Sequence, residues 1–462
     1  MSRKKNRREF LTGTAMAGVG YWVASRRAWA QSKSPNEKLN VAAIGAGGQG
    51  HGDISNVAAA GANIIALCDV DDERAKDSYN KFPKARRFHD FRVMFDKIQR
   101  EIDGVVVATP DHTHAVATMM AMKLGKHVYT EKPLTHDVYE ARMLTEAAGK
   151  YKVVTQMGNQ GTALDSLREA VEVIQSGAIG PVREVHVWTN RPIWPQGAHA
   201  VLQHKAVQSA LHGGTDRARA PATLKWDLWL GTAAERPYDP IYLPFNWRGW
   251  WDYGTGALGD MACHIVNMAF MACKLGYPTS VEARMSEYNP ETYPMWSIIR
   301  YEFPARGELP PLEWTWYDGG QNKPAQVNRK LKRLAHGQDI PGGGSLLIGD
   351  KGTLFSPHDY SGVYKLLPEK DFEGYQPPTP RLPRSPGHYQ EWVTACIEGK
   401  PEMCMSTFSY AGPLTETVVL GCVAMRARTK ILWDGANMKI TNDEEAKANK
   451  YIRREYRTGW SL

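Results

Sequence analysis

Six residues near the start of the chain constrain its fold more than any other feature. "GAGGQG" (45–50) follows a short apolar run, 39–44, and opens a helix-like stretch, 51–60. In a strand–loop–helix unit the three glycines of a G-x-G-x-x-G loop have separate jobs. Gly45 permits the tight turn, Gly47 lets a pyrophosphate approach backbone N–H groups, and Gly50 lets helix and strand pack closely. Gly48 and Gln49 complete the loop. A second apolar run, "ANIIALCDV" (62–70), closes on Asp69, 19 residues beyond Gly50. That is near the spacing at which a carboxylate meets a ribose 2′-hydroxyl. A carboxylate there repels a 2′-phosphate, and Val70, Asp71 and Asp72 offer no arginine to hold one. The pattern predicts an NAD site, with NADP less favoured. The alternative for Asp69 is a strand-end cap on the next helix.

Strand-like and helix-like stretches go on alternating. "IDGVVVATP" (102–110) carries valines throughout, as a strand buried on both faces requires. "KHVYTEKPL" (126–134) and "YKVVTQMG" (151–158) follow, with helix-like segments at 72–82, 115–124 and 137–150. This order predicts an α/β chain whose residues 39–158 form a doubly wound parallel sheet. Beyond 158 the pattern changes. "LDSLREAVEVIQSG" (164–177) reads as an amphipathic helix, and "VREVHVWTN" (182–190), "TSVEARMSEY" (279–288), "MWSIIRYEF" (295–303) and "PLEWTWYD" (311–318) read as strands. Their alternation suits a largely antiparallel sheet covered on one side, within a second, α+β domain over 159–440. Residues 319–345 are rich in Gly, Lys and Arg and read as a loop or lid, and 370–387 as a proline-rich connector. Two late helices, 387–399 and 411–428, precede a tail at 441–462. A chain of 462 residues is too long for one core and calls for two or three domains.

The net charge of +8 is lopsided. Residues 1–30 hold seven Lys/Arg against Glu9, which accounts for +6 and leaves +2 on the rest. A near-neutral body gives no reason to expect nucleic-acid binding. The basic stretch, an apolar run over 10–25 and Ala28-Trp29-Ala30 read as an export signal (1–30), joined by a polar linker (31–38). Within it, Arg7 and Arg8 ahead of Phe10 and Leu11 resemble the twin-arginine signature, which implies export of a folded protein to the periplasm. The alternative is an uncleaved membrane anchor. Six cysteines show no C-x-x-C spacing. They read as small buried residues, with a disulfide in an oxidising compartment left open.

Three further constellations carry chemistry. "ATPDHTHA" (108–115) places Thr109 and Pro110 at the carboxyl edge of a buried strand, where ligands bind in open α/β sheets. His112 and His114 lack a third partner and do not read as metal ligands, so no metal site is expected. "EKP" puts Lys132 at another strand end, beside Glu131, where a lysine can hold a substrate hydroxyl and lower its pKa. "GTGALGDMACHIVNMAF" (254–270) sets Asp260 and His264 at i, i+4, stacked on one helix face. A carboxylate beside an imidazole can fix its tautomer and raise its proton affinity, which suits a general base. A plain surface pair is the alternative.

Taken in order, these pieces resemble the Gfo/Idh/MocA family of oxidoreductases over residues 38–440. The resemblance implies an N-terminal Rossmann domain followed by a domain with a large open sheet that often serves in oligomerisation, here a dimer or tetramer. It implies that Lys132 polarises the reacting hydroxyl and that Asp260 and His264 form the helix-borne pair, His264 acting as acid/base. Thr109, Pro110, His112, His114, Glu131 and Lys132 then join the glycine loop and Asp69 as cofactor contacts. Fifteen tryptophans gain a use, because aromatic faces stack on sugar C–H faces. Trp188, Trp194, Trp247, Trp250 and Trp251 are expected beside the crevice, with Asn159, Arg191 and His388 as polar contacts. For any single tryptophan, core packing is the competing expectation. The implied activity is hydride transfer from a secondary alcohol of a sugar, glycoside or polyol. A periplasmic enzyme has no obvious pool of free NAD, so a resident cofactor, reoxidised within each cycle, is the second reading. It covers coupled sugar oxidation and reduction, and NAD-dependent glycoside cleavage. A third reading, a sugar-binding protein on a decayed enzyme scaffold, is disfavoured by the intact Lys132, Asp260 and His264.

Overall fold

The structure is a computed structural model that describes residues 38–203, 218–443 and 447–462. The export signal and most of the linker expected before residue 39 lie outside the described residues. Six short strands come first: β1 (Asn40–Ile44), β2 (Asn63–Cys68), β3 (Arg86–Phe88), β4 (Gly104–Val107), β5 (His127–Thr130) and β6 (Thr155–Met157). They form one sheet in the order β3-β2-β1-β4-β5-β6, every pair parallel. This is the doubly wound arrangement that the βα alternation predicts. Side-chain alternation sends Val41, Ala43 and Val106 to one face, and Ala42, Ile44, Val105 and Val107 to the other. Both faces must be covered, and both are.

The second face is covered by helices from the same half, Phe91–Ile98, Asp111–Lys123 and Val138–Tyr151. Two of these start at side-chain caps: Asp90 accepts from the Arg92 N–H, and Asp137 with Glu140 forms a reciprocal capping box. The first face is covered by helix Gln49–Ala59 and, from far along the chain, by helix His388–Glu398. Trp392 of that late helix lies so close to β4 that a Cβ at Gly104 would sit 3.1 Å from its ring. Helix Phe408–Ala427 also returns. Its Gly412 lets it approach helix Val138–Tyr151 closely, since a Cβ there would come within 1.8 Å of the Thr145 hydroxyl. By length and composition this helix could cross a membrane, but 83% of its apolar window is buried inside the fold.

Nine strands make the second sheet: β7 (Val182–Trp188), β8 (Ser280–Met285), β9 (Ser297–Phe303), β10 (Leu312–Tyr317), β11 (Gly344–Gly349), β12 (Thr353–Ser356), β13 (Lys365–Leu367), β14 (Ile431–Asp434) and β15 (Lys439–Ile440). Their order is β13-β12-β11-β7-β10-β9-β8-β14-β15. Neighbours are antiparallel except β7 and β10. The sheet is thus mixed and mostly antiparallel, as expected. Val185, Val187, Trp314 and Trp316 belong to the large core shared with the helices.

Residues 319–345 are not a loop or lid. They contain helix Ala325–Leu334, whose Val327 and Leu331 pack with Ala335, Trp188, Tyr317, Leu346 and Phe355 into a separate apolar cluster on the other face of the sheet. The composition hid this helix because the buried Val327 and Leu331 stand four residues apart among Gln326, Asn328 and four Lys/Arg residues. The same cluster relocates Trp188. Its ring stacks on Phe355 at 6.2 Å, and its indole N–H donates to the Pro341 carbonyl at 2.9 Å. All six cysteines are buried free thiols.

Because Leu331 is fully buried, Leu331→Ala should cost about 2–5 kcal/mol in denaturant unfolding. Cofactor affinity should stay unchanged, and a matching loss of affinity would restore the lid reading.

Candidate active site

A cleft of about 420 Å³ opens at the carboxyl ends of the parallel strands, where strand order reverses and ligands bind in such sheets. The glycine loop lines it. A Cβ at Gly45 would come within 2.5 Å of the Ala108 carbonyl oxygen, and one at Gly50 within 2.2 Å of the Gly45 carbonyl oxygen. A Cβ at Gly47 would meet the Arg74 carbonyl oxygen at 2.5 Å. Gly45 and Gly48 also hold φ of +86° and +57°, which glycine adopts without strain. The loop is therefore pinned sterically, and it leads into helix Gln49–Ala59, whose N-terminus is suited to a pyrophosphate. Asp69 lines the same cleft. It accepts from the N–H groups of Ala46 at 2.7 Å and Asp71 at 2.9 Å, so it also ties the loop to the end of β2. The cradle fits a dinucleotide.

At the other end of the cleft, β5 delivers Lys132 toward helix Gly256–Ile265. The ammonium donates to the Asp260 carboxylate at 3.0 Å and to the Asp260 carbonyl at 2.9 Å. Arg248 Nε donates to the same carboxylate oxygen at 3.0 Å, and Arg191 Nε lies 3.8 Å from the other. Three cations converge on one buried carboxylate. Burial alone would raise the Asp260 pKa, but Lys132 and Arg248 hold it well below the usual carboxylate range. Burial likewise pulls Lys132 down, yet Asp260 leaves it raised overall, so it stays an ammonium.

His264 follows one turn later, 2% exposed, and lines the cleft beside Tyr360, whose ring centre is 4.5 Å away. Its Nδ1 is buried with no hydrogen-bond partner among the described residues. Burial, reinforced by Lys132, lowers its pKa well below the ordinary value. Asp260 does raise the proton affinity of His264 as expected, but burial and Lys132 outweigh it. Lys132 and Arg248 take up the carboxylate's charge, and the imidazole is neutral.

Beneath Lys132 lies a second charged feature. Asp53 of helix Gln49–Ala59 and Glu131 are buried within hydrogen-bonding reach of each other. Asp53 accepts from Tyr389 at 2.8 Å and Gln49 at 2.9 Å. Glu131 accepts from Gln160 at 2.7 Å and from the Lys132 N–H at 3.2 Å. Burial raises both carboxyl pKa values, and Asp53 raises that of Glu131 further. Two like charges this close cannot both ionise easily, so the pair retains a proton.

The remaining expected residues divide. Gln49, Thr109, Pro110, His114 and Trp247 line the cleft. His112 does not. It is buried between the rings of Trp229 and Tyr253, bonded to the Trp229 carbonyl at 3.0 Å, and burial pushes its pKa down to about 3. Asn159 is fully buried, donating to the Cys263 carbonyl and accepting from Ser406. His388 bonds the Met157 carbonyl, Trp250 sits in an aromatic cluster against Tyr242, and Trp251 packs on Tyr293. Trp194 stands behind the cleft wall, edge-on to Phe245, with its N–H on Gln196. None of these five is among the residues that line the cleft. Arg74, Gln160, Trp229, Arg248, Tyr360 and Trp460, none of them expected, line the cleft instead. Arg248 had a signal, since it sits inside the aromatic run 247–253; Tyr360 and Trp460 had none.

Two models of one oxidoreductase family match the chain: the NAD-binding Rossmann fold over residues 39–159 and the C-terminal alpha/beta domain over residues 202–308. A glycosyl hydrolase family 109 protein of Solibacter usitatus is 31% identical over 152 residues, 30% of this chain and 35% of that protein. An inositol 2-dehydrogenase of Rhodococcus erythropolis is 31% identical over 173 residues, 37% of this chain and 49% of that protein. The chain thus matches between about a third and a half of the length of these curated relatives. Among solved structures, the WlbA dehydrogenase from Bordetella pertussis in complex with NADH and UDP-GlcNAcA shares the fold. Its TM-score is 0.57 at 17% identity, over 86% of this chain and 99% of that one.

The carboxyl pair generates a pH test. Both groups bind protons more tightly folded than unfolded, so their stabilisation is complete below the ordinary carboxylate range and is lost as pH rises through the raised values. Asp53→Asn removes one of them. Its melting temperature relative to the unaltered protein should rise steadily from about pH 5 to about pH 8. A difference that is flat with pH would mean that no proton is shared.

Proposed function

The chain belongs to the Gfo/Idh/MocA oxidoreductase family, and we propose that it oxidises a secondary alcohol of a sugar, glycoside or polyol. The observation that carries this reading is the placing of one charged lysine and one neutral histidine in the cleft that holds the dinucleotide cradle. NAD, when bound, supplies the hydride acceptor. Lys132 remains protonated and therefore acts as a donor: its ammonium binds the substrate hydroxyl and lowers the pKa of that group. His264 is neutral, with a ring nitrogen free to take the proton, as a general base requires. Asp260 positions Lys132 and keeps it charged. Arg248 and Arg191 add positive potential that favours a developing alkoxide. Trp247 and Phe245 give the wall of the cleft an apolar surface suited to the C–H face of a sugar ring.

With a matching sugar or polyol and NAD, the absorbance of reduced nicotinamide should rise. Lys132→Ala and His264→Ala should each reduce the rate by roughly 10²–10⁴-fold while retaining NADH binding. Ordinary turnover in both would remove these residues from the chemistry.

A second reading keeps the cofactor resident, so that oxidation is reversed within each cycle and a glycosidic bond is cleaved. It is supported by the glycosyl hydrolase family 109 relative and by the twin-arginine-like start of the chain, Arg7 and Arg8, which we read as a signal for periplasmic export of the folded protein. Protein recovered from the periplasmic fraction and denatured without added cofactor should then release about one NAD(H) per chain. Empty protein would leave the exchanging dehydrogenase as the sole reading. Product mass distinguishes an oxidised sugar from a cleaved glycoside.

A further inference from the structure

In a sheet of this order, the adenosine half of a dinucleotide lies over β1 to β3 and the nicotinamide half over β4 to β6. Lys132 and His264 mark the nicotinamide end. At the opposite end, Asp90 and Phe91, which follow β3, line the cleft with Leu228 and Trp229 from a helix of the second half and with Trp460 from the last residues of the chain. No dinucleotide-binding motif predicts that last contribution.

The segment carrying Trp460 is firmly anchored. Arg454 donates to the Thr232 hydroxyl at 2.8 Å and to Glu140 at 3.1 Å. The Tyr456 hydroxyl donates to Glu140 at 2.6 Å. Arg457 pairs with Asp227 and donates to the Gly231 carbonyl at 3.2 Å, so the same segment braces the helix that presents Leu228 and Trp229. Lys123 Nζ donates to the Leu462 carbonyl at 3.0 Å. Trp460 itself is held from the side. Asp90 grips Arg92 through both carboxylate oxygens, at 2.7 and 3.0 Å. The Arg92 guanidinium then lies 4.2 Å from the indole centre and donates to the Gly459 carbonyl at 3.3 Å. The Phe91 ring stands 5.9 Å from the indole. Facing them, the Lys225 N–H donates to the Val70 carbonyl at 2.8 Å, and the Asp72 N–H to the Thr223 carbonyl at 3.2 Å. The second half is thereby fastened just beyond Asp69.

We propose that Trp460, with Phe91 and Leu228, forms the slot that takes the adenine ring, making the C-terminal segment part of the cofactor site. The proposal rests on the NAD reading above. A purine presents two flat faces, and the Trp460 indole, with the Phe91 ring tilted against it and Leu228 lining the same end of the cleft, offers one of them a stacking surface, whatever group the far end of the cofactor carries. The guanidinium of Arg92 on the indole fixes the ring in place before the cofactor arrives, so little ordering remains to be done on binding.

The test measures binding of NADH, ADP-ribose and nicotinamide mononucleotide to the full chain by calorimetry. In Trp460→Ala, NADH and ADP-ribose should both weaken by roughly tenfold or more, with nicotinamide mononucleotide and the melting temperature unchanged. Trp460→Phe should recover most of the loss. Unaltered protein that binds NADH, paired with a Trp460→Ala variant that binds ADP-ribose equally well, overturns the slot and leaves the NAD reading standing. Equal weakening of all three ligands also overturns it, by assigning Trp460 to the frame. Failure of the unaltered protein to bind any dinucleotide overturns the NAD reading itself.

Discussion

The contact between Lys132 and Asp260 is the one on which the rest of the site depends. Lys132 stands at the edge of the parallel sheet and Asp260 on a helix of the second half, so this buried ion pair is one of the links that join the two. Such a pair is costly to desolvate and is tolerated only when its remaining hydrogen-bonding capacity is met. Here the ammonium also reaches the Asp260 carbonyl, and the carboxylate also takes Arg248. Loss of one partner would strand a charge in the interior, which costs about 3–5 kcal/mol in comparable cases. The pair also divides the chemistry. It keeps the lysine charged, and the lysine in turn disfavours a charge on His264. Donor and base are thereby assigned by one arrangement of charges.

Much of this was legible in the amino-acid sequence, because its signals are local. The glycine spacing and the Asp69 position depend on one turn and two strand ends, and the valine-rich runs need only their own period. Lys132 and His264 were found through the ordered set of motifs that resembles the family. What the sequence could not reveal is which distant groups arrive at a given side chain. Asp260 and His264 do stack at i, i+4, but Lys132 and Arg248, 128 and 12 residues away, decide where the carboxylate's charge goes.

The tryptophans make the same point from the other direction. Along β7, Val185 and Val187 alternate with His186 and Trp188, and strand periodicity says only that the two sets face opposite ways. Because helix Ala325–Leu334 covers the second face around β7, β11 and β12, an apolar side chain there is buried on either face. Trp188 falls on the face beneath helix Ala325–Leu334, and Trp250 falls among the aromatic rings of Tyr242 and Tyr253. Trp247 alone of the expected group lines the cleft. Counting aromatic residues identified a need for large buried rings without saying which of them ligands would meet.

Helix His388–Glu398 has a consequence for the order in which the molecule can be made. Val41, Ala43 and Val106 of the nucleotide-binding sheet lie against Trp392 and Val393, whose codons come nearly 300 residues after that of Val106. A ribosome adding about 5–20 residues per second leaves that apolar face waiting on the order of tens of seconds. Through this interval helix Gln49–Ala59 is at hand to cover that face and helix His388–Glu398 is not. The nucleotide-binding half therefore does not supply all of its own cover: helix His388–Glu398, far along the chain, forms one of its walls.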